Sequence, residues 1–302
     1  MTIRIAAALF FLILAGCAST PTIAPWAVDT AAEESRYLRP SLQLSEVTIT
    51  LITDVAEAEC VATVALVSLP NSPATSSTTP LIFAHGYLRE VARHHDWARH
   101  IASWGVPVYL VGLCSGGWER GGVNVFAKLL KKTADKSAAS KVIYGGFSAG
   151  GGASRIAAAQ DERTIGYLGL DPVSRIAANA NAAPAYPMFA LFAPSGKCNA
   201  NQIGVNMFRQ AADSVILEIE NTTHCHFEAP SNFLCFAACG EPTTAADSQL
   251  LRDRIASYSV AYLRWRAGLD TSLEAGLDAA LPAMWRAALP GVKLLYPSPA
   301  TK

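Results

Sequence analysis

From residue 81 onward the sequence alternates two rhythms, and this constrains the fold more than any other feature. Short continuous apolar runs at 81–84, 106–111, 142–147, 165–170, 188–192 and 215–219 are separated by segments with helical spacing near 89–104, 122–138, 150–160 and 203–212. A strand that is apolar at every position is buried on both faces. Such strands alternating with helices make a parallel sheet covered by helices on both sides. Upstream, Val47, Ile49 and Leu51 alternate with Glu46, Thr48 and Thr50, the pattern of a half-buried strand, and 61–69 reads as its antiparallel partner. Residues 70–80 are loop, and 246–267 and 272–287 read as two closing helices. The expected architecture is α/β: a mostly parallel central sheet with an antiparallel N-terminal edge and helices on both faces. No internal repeat and no second compositional regime interrupts it, so 41–302 is read as one domain. In the first helix Val91, Ala98, Ile101 and Ala102 share a stripe, with Trp97 and Trp104 at its edge. His94 falls within that stripe and is expected to be half-buried and hydrogen-bonded; His95 and His100 fall outside it and are expected to be solvated.

Composition removes whole classes of function. Of 302 residues only 16% are charged, and 24 Lys+Arg balance 24 Asp+Glu. Nucleic-acid affinity rests on neutralising phosphates, and no basic excess is present to do so. With 51% hydrophobic residues the chain has too much apolar surface to remain disordered. After the first sixteen residues no apolar run approaches the roughly 18 needed to span a bilayer. The start is different. Arg4 precedes a wholly apolar stretch over 5–14, too short to span and suited to the core of an export signal. It ends in Leu14-Ala15-Gly16-Cys17, which resembles the lipobox of bacterial lipoproteins. That resemblance implies cleavage after residue 16, acylation of Cys17, a lipid-anchored tether over 17–40, and a place in the bacterial cell envelope facing the periplasm or exterior. Ala18 gives no signal for inner-membrane retention, so in a Gram-negative cell the outer membrane is expected.

Six cysteines remain: Cys60, Cys114, Cys198, Cys225, Cys235 and Cys239. In an exported chain an even number predicts disulfides, and six allow fifteen connectivities. The last four cluster in sequence and are expected to pair among themselves, leaving Cys60 with Cys114. Zinc held at Cys235-x3-Cys239 is the competing use, and the compartment favours disulfides.

Gly146-Phe147-Ser148-Ala149-Gly150 fits G-x-S-x-G. It follows an apolar strand directly and opens a helix rich in small residues, the context a nucleophile elbow requires. A serine hydroxyl needs a base, and the base an orienting acid. Downstream of Ser148 only His224 and His226 are available. They lie just past the run at 215–219, at the carboxyl edge of the sheet, with His224 the first choice. Asp171 ends the run at 165–170 and is the candidate acid; Glu220 and Glu228 are the alternatives. The oxyanion donors are expected from the N–H groups of Ala149 and of Tyr87 in His85-Gly86-Tyr87, with His85 a structural loop histidine.

Taken together, HGY after a strand, ASWGVPVYLV, GGFSAGG, LGLDPV and NTTHCHFE resemble the α/β-hydrolase superfamily, over about 80–267. The similarity is to its chlorophyllase, platelet-activating-factor acetylhydrolase and dienelactone-hydrolase-like (polyester hydrolase) branches. It implies a serine esterase with catalytic Ser148, His224 and Asp171, oxyanion donors Tyr87 and Ala149, and no cofactor or metal. The partners it implies are a small ester or lipid-like substrate, and the membrane reached through the anchor. Tyr87, Trp118 and Phe147 would favour an apolar acyl group. The other expectation is a non-catalytic envelope protein that keeps the scaffold for binding; an intact Ser, acid and His favour the enzyme.

Overall fold

The computed structural model describes residues 42–70, 78–114, 117, 122–174, 184–209, 211, 214–240, 244–269 and 291–296. The leader, the tether, Trp118 and the helix expected at 272–287 lie outside the described residues. The described chain begins with a 3-10 turn (Leu42–Glu46), β1 (Thr48–Ile52), a small hairpin of β2 (Ala56–Glu57) and β3 (Cys60–Val61), then β4 (Thr63–Ser68) and β5 (Leu81–Ala84). A 3-10 turn (Val91–His94), α1 (His95–Ser103), β6 (Val108–Gly112), α2 (Gly122–Lys136), β7 (Val142–Phe147), α3 (Ala149–Ala159), β8 (Thr164–Leu170) and β9 (Met188–Phe192) follow. The described chain ends with a 3-10 stretch (Ala200–Met207), β10 (Ser214–Ile219), a 3-10 turn (His224–Phe227), α4 (Phe233–Cys239), α5 (Ala245–Arg266) and β11 (Val292–Tyr296).

Among the described residues nine strands form one sheet in the order β1-β4-β6-β5-β7-β8-β9-β10-β11. The centre, from β6 to β10, is parallel, as the continuous apolar runs require. β1 and β4 pair antiparallel, Thr48 opposite Ser68, and form the N-terminal edge. Side chains alternate between two cores. Leu81, Phe83, Ile143 and Leu168 face α1 and α5, packing with Trp97, Ile101, Tyr258 and Leu263. Ile82, Ala84, Tyr144 and Tyr167 face α2 and α3, against Phe126, Leu130, Ala153 and Ala157. Cys60 and Cys114 are joined by a disulfide that pins the β2–β3 hairpin to the segment after β6.

Several local expectations are corrected. β1 is not half-buried: Ile49 and Leu51 are exposed and lie outside both cores. His100 is buried at the end of α1, not solvated. His94 is wholly buried rather than half-buried. Among the described residues no group bonds either ring nitrogen, and the ring packs between Phe83 and Phe147 at centroid distances of 5.0 and 5.4 Å. The segment expected as a helix near 203–212 is instead the 3-10 stretch, in which Asn201 and Gln202 adopt the left-handed conformation (φ 56° and 59°). α4 and β11 have no counterpart in the sequence reading.

Candidate active site

The site lies at the carboxyl edge of the parallel strands, where loops from β5, β7, β8, β9 and β10 converge. Ser148 sits between β7 and α3 with φ 53° and ψ −128°, a conformation that L side chains rarely adopt and that costs about 1–3 kcal/mol. Three backbone bonds hold it there: Ser148 N–H donates to Leu170 O (3.2 Å), and Ser148 O accepts from Gly151 N (3.0 Å) and Val173 N (2.8 Å). The two motif glycines make the turn possible. A Cβ on Gly146 would meet Gly150 O at 2.5 Å, and one on Gly150 would run into His85 O. Strand and helix thus approach closely enough to lift the serine out at the sheet edge.

Asp171 follows β8 directly, at φ 40°, and its side chain is wholly buried. Its backbone N–H donates to Leu191 O (2.7 Å), which fixes it to β9. His224 opens the 3-10 turn after β10, and its Nδ1 lies 2.6 Å from Asp171 Oδ2. Its ring packs at a tilt of 31° against Phe147, the residue directly before Ser148, at a centroid distance of 4.5 Å. Asp171 Oδ1 accepts from Ala193 N and from Asn199 Nδ2, both at 3.2 Å. A carboxylate so held can accept from the imidazole only through Oδ2, which fixes the ring's tautomer and tilt.

Asn199 is a residue the sequence reading missed. It is 2% exposed, and it spends its amide on Asp171, Ala193 O and Pro194 O while its oxygen accepts from Gly196 N and Gln202 N. It organises the whole turn after β9. No local pattern marks it, since its carboxylate partner lies 28 positions earlier in the sequence.

The other histidines have different work. His226 turns back on its own loop: Thr223 N–H donates to its Nδ1 (2.8 Å), closing a capping box, and burial pushes its pKa down to about 4. His85 uses both ring nitrogens, Nδ1 donating to Gly86 O (2.7 Å) and Nε2 accepting from Leu113 N (3.0 Å); burial lowers it to about 4 as well. Of the alternative acids, Glu220 is exposed and Glu228 is bound by Arg89. Among the described residues neither pairs with a histidine.

Gly86 passes beside the serine: a Cβ there would sit 3.0 Å from Ser148 Cβ. Tyr87 is the next residue. Ala149 is the first residue of α3, where helix geometry leaves backbone N–H groups without an intrahelical acceptor. Phe147 is 1% exposed and braces His94 and His224, so it supports the site from below and is no wall of a pocket.

Two disulfides converge on α4. Cys225, beside His224, is joined to Cys235, and Cys198, beside Asn199, is joined to Cys239. The short helix therefore ties the histidine loop to the loop that holds the acid. The sulfurs of Cys225, Cys235 and Cys239 lie within 4.8 Å of one another, and all three are in disulfides.

No protein-family model matches the sequence, and no curated protein sequence matches it. Among solved structures it is similar to a ferulic acid esterase from Streptomyces cinnamoneus, with a TM-score of 0.65 and 15% identity over 85% of this chain and 98% of that one. At that identity the likeness is one of fold. With the sheet order and the strand–elbow–helix at Ser148, it defines an α/β-hydrolase fold.

Proposed function

We propose that this protein is a serine hydrolase of carboxylic esters that works through an acyl-enzyme on Ser148. The observations that carry the reading are the strained elbow serine and the Asp171–His224 pair, whose imidazole packs on Phe147, the residue before Ser148. With Nδ1 committed to Asp171, Nε2 of His224 is the nitrogen left to take the Ser148 proton as Oγ attacks the ester carbonyl. The N–H groups of Tyr87 and Ala149 hold the oxyanion, and the positive end of α3 adds to them. His224 then gives the proton to the departing alcohol. Water, deprotonated by the same imidazole, releases the acid and restores the serine. Thioesters and amides run on the same machinery and belong in the same substrate panel.

Exposed Tyr87 and Leu88 on the loop after β5, and exposed Phe233 and Leu234 at the start of α4, favour apolar esters. The neighbour's name adds aromatic acyl groups to the panel. The expected leader and Cys17 place the enzyme on a lipid anchor in the bacterial envelope, and three disulfides suit that compartment. Among the described residues no helix is long and apolar enough to cross a membrane. The test is fluorophosphonate labelling of mature protein beside p-nitrophenyl ester turnover. Ser148 is expected to carry the label, and Ser148→Ala to lose about 10³-fold or more in rate while keeping its fold. A labelled protein with the tag elsewhere, or a Ser148→Ala rate within tenfold of the parent, would move the nucleophile.

A further inference from the structure

The oxyanion loop and the histidine loop come from opposite ends of the sequence, yet they meet through one buried ion pair. Arg89 stands three residues after Gly86, and its own N–H donates to Gly86 O (3.2 Å) to close the turn that carries Tyr87. Its Nε donates to Glu228 Oε1 at 2.5 Å and its Nη2 to Glu228 Oε2, a fork-to-fork pair spanning 139 positions. The Glu228 carboxylate has no exposed surface and the Arg89 side chain is 18% exposed. Nη2 also reaches Asn232 Oδ1 (3.4 Å), the oxygen that caps α4 through Cys235 N. Backbone bonds continue the seam, Ala229 N–H donating to Arg93 O (2.8 Å) and Asp96 N–H to Ala229 O (2.9 Å).

We infer that Arg89 and Glu228 are positioning residues that set the oxyanion loop, carrying the Tyr87 N–H, against the loop carrying His224. The inference rests on the esterase reading above. Three arguments carry it. Glu228 lies four residues from His224 and Arg89 two from Tyr87, so the pair joins the loops next to their working groups. A planar guanidinium engaging both carboxylate oxygens fixes direction as well as distance, which a lysine's single point charge does not. Finally, a buried ion pair is a poor way to add stability, because desolvation consumes most of the attraction and apolar replacements of similar size are often neutral or better. What such a pair supplies that an apolar pair does not is orientation.

The test exploits that difference. Arg89→Met with Glu228→Leu replaces the pair by apolar side chains. The double variant is expected to melt near the parent temperature, to keep KM for p-nitrophenyl acetate within about threefold, and to lose about tenfold or more in kcat, since displacement by about 1 Å can cost on the order of 10²-fold. Inhibition by a trifluoromethyl ketone, whose tetrahedral adduct needs the oxyanion donors, is expected to weaken by a similar factor. Arg89→Lys keeps the charge, loses the fork, and is expected to fall between the two. A double variant with parental kcat and parental inhibition overturns the inference. If the double variant fails to fold, Arg89→Lys decides: parental kcat and inhibition overturn it, and a lowered kcat at unchanged melting temperature supports it. Parent protein that neither turns over esters nor takes a fluorophosphonate sinks the esterase reading itself, and the positioning role with it.

Discussion

Asp171 owes its geometry to what touches its far oxygen. Its Oδ2 meets His224, while Oδ1 is held by one backbone N–H and by the Asn199 amide. Asp171→Asn keeps the shape but offers His224 an amide, which favours the wrong imidazole tautomer, and about 10³–10⁴-fold in kcat should go with it. Asn199→Ala leaves the carboxylate intact but removes one of the two donors to Oδ1, so a milder loss is expected, about 10- to 100-fold in kcat with KM little changed. Glu220→Gln, on an exposed side chain, should stay within about twofold. Steady-state rates of the three variants beside their melting curves check this ordering. A silent Asp171→Asn would take the acid role away from it. His224 and His226 also differ at this scale. Two positions apart in the same tripeptide, they lie in one loop by sequence; the 3-10 turn separates them by folding His226 back onto Thr223 and leaving His224 on Asp171.

At the scale of elements, α4 is the part whose role sequence patterning hides. FLCFAAC is short and apolar on all sides, with Phe233 and Leu234 exposed, so it carries no helical stripe to read. It is held by an Asn232 cap and two disulfides, closing separations of 10 and 41 residues. Each such closure contributes about 2–4 kcal/mol by restricting the unfolded chain. Because α4 joins the histidine loop to the Asn199 turn, cutting those bonds should loosen both partners of Asp171 while the sheet, held by its own core, stays. Dithiothreitol is therefore expected to lower ester turnover by about tenfold or more before far-UV circular dichroism changes. Cys225→Ser with Cys235→Ser should reproduce that loss without reductant. Activity and circular dichroism falling together would show that the disulfides hold the whole fold and not the site.

At the scale of the whole molecule, the sheet was legible because burial on both faces writes itself as continuous apolar runs, and the elbow because two glycines are forced by backbone contact. β11, Asn199 and the Arg89–Glu228 pair were not legible, since each depends on a partner distant in sequence with no periodic signature. The core also contains something that periodicity alone misjudged: an imidazole placed as though it were a hydrocarbon. His94 lies between Phe83 and Phe147 with no hydrogen-bond partner among the described residues, and burial holds its pKa well below the ordinary value of 6.5. His85 and His226 are lowered by the same cause, to about 4. All three are neutral in the fold at pH 7. In the unfolded chain they take up protons near pH 6.5, so between about pH 6.5 and 4 the unfolded state binds more protons, and stability falls as pH falls. Each such proton is worth about 1.4 kcal/mol per pH unit within that window. His94→Leu removes one of them and also removes an unbonded polar ring from an aromatic cage. The variant should be more stable than the parent at pH 7 by about 1–3 kcal/mol. The gap should widen as the pH is lowered below 6.5, because only the parent still has this proton to take up on unfolding. Guanidinium unfolding at a series of fixed pH values measures both. A gap that stays constant across the series would mean that His94 titrates alike in both states, and that its burial between two phenylalanines does not govern the acid stability of the fold.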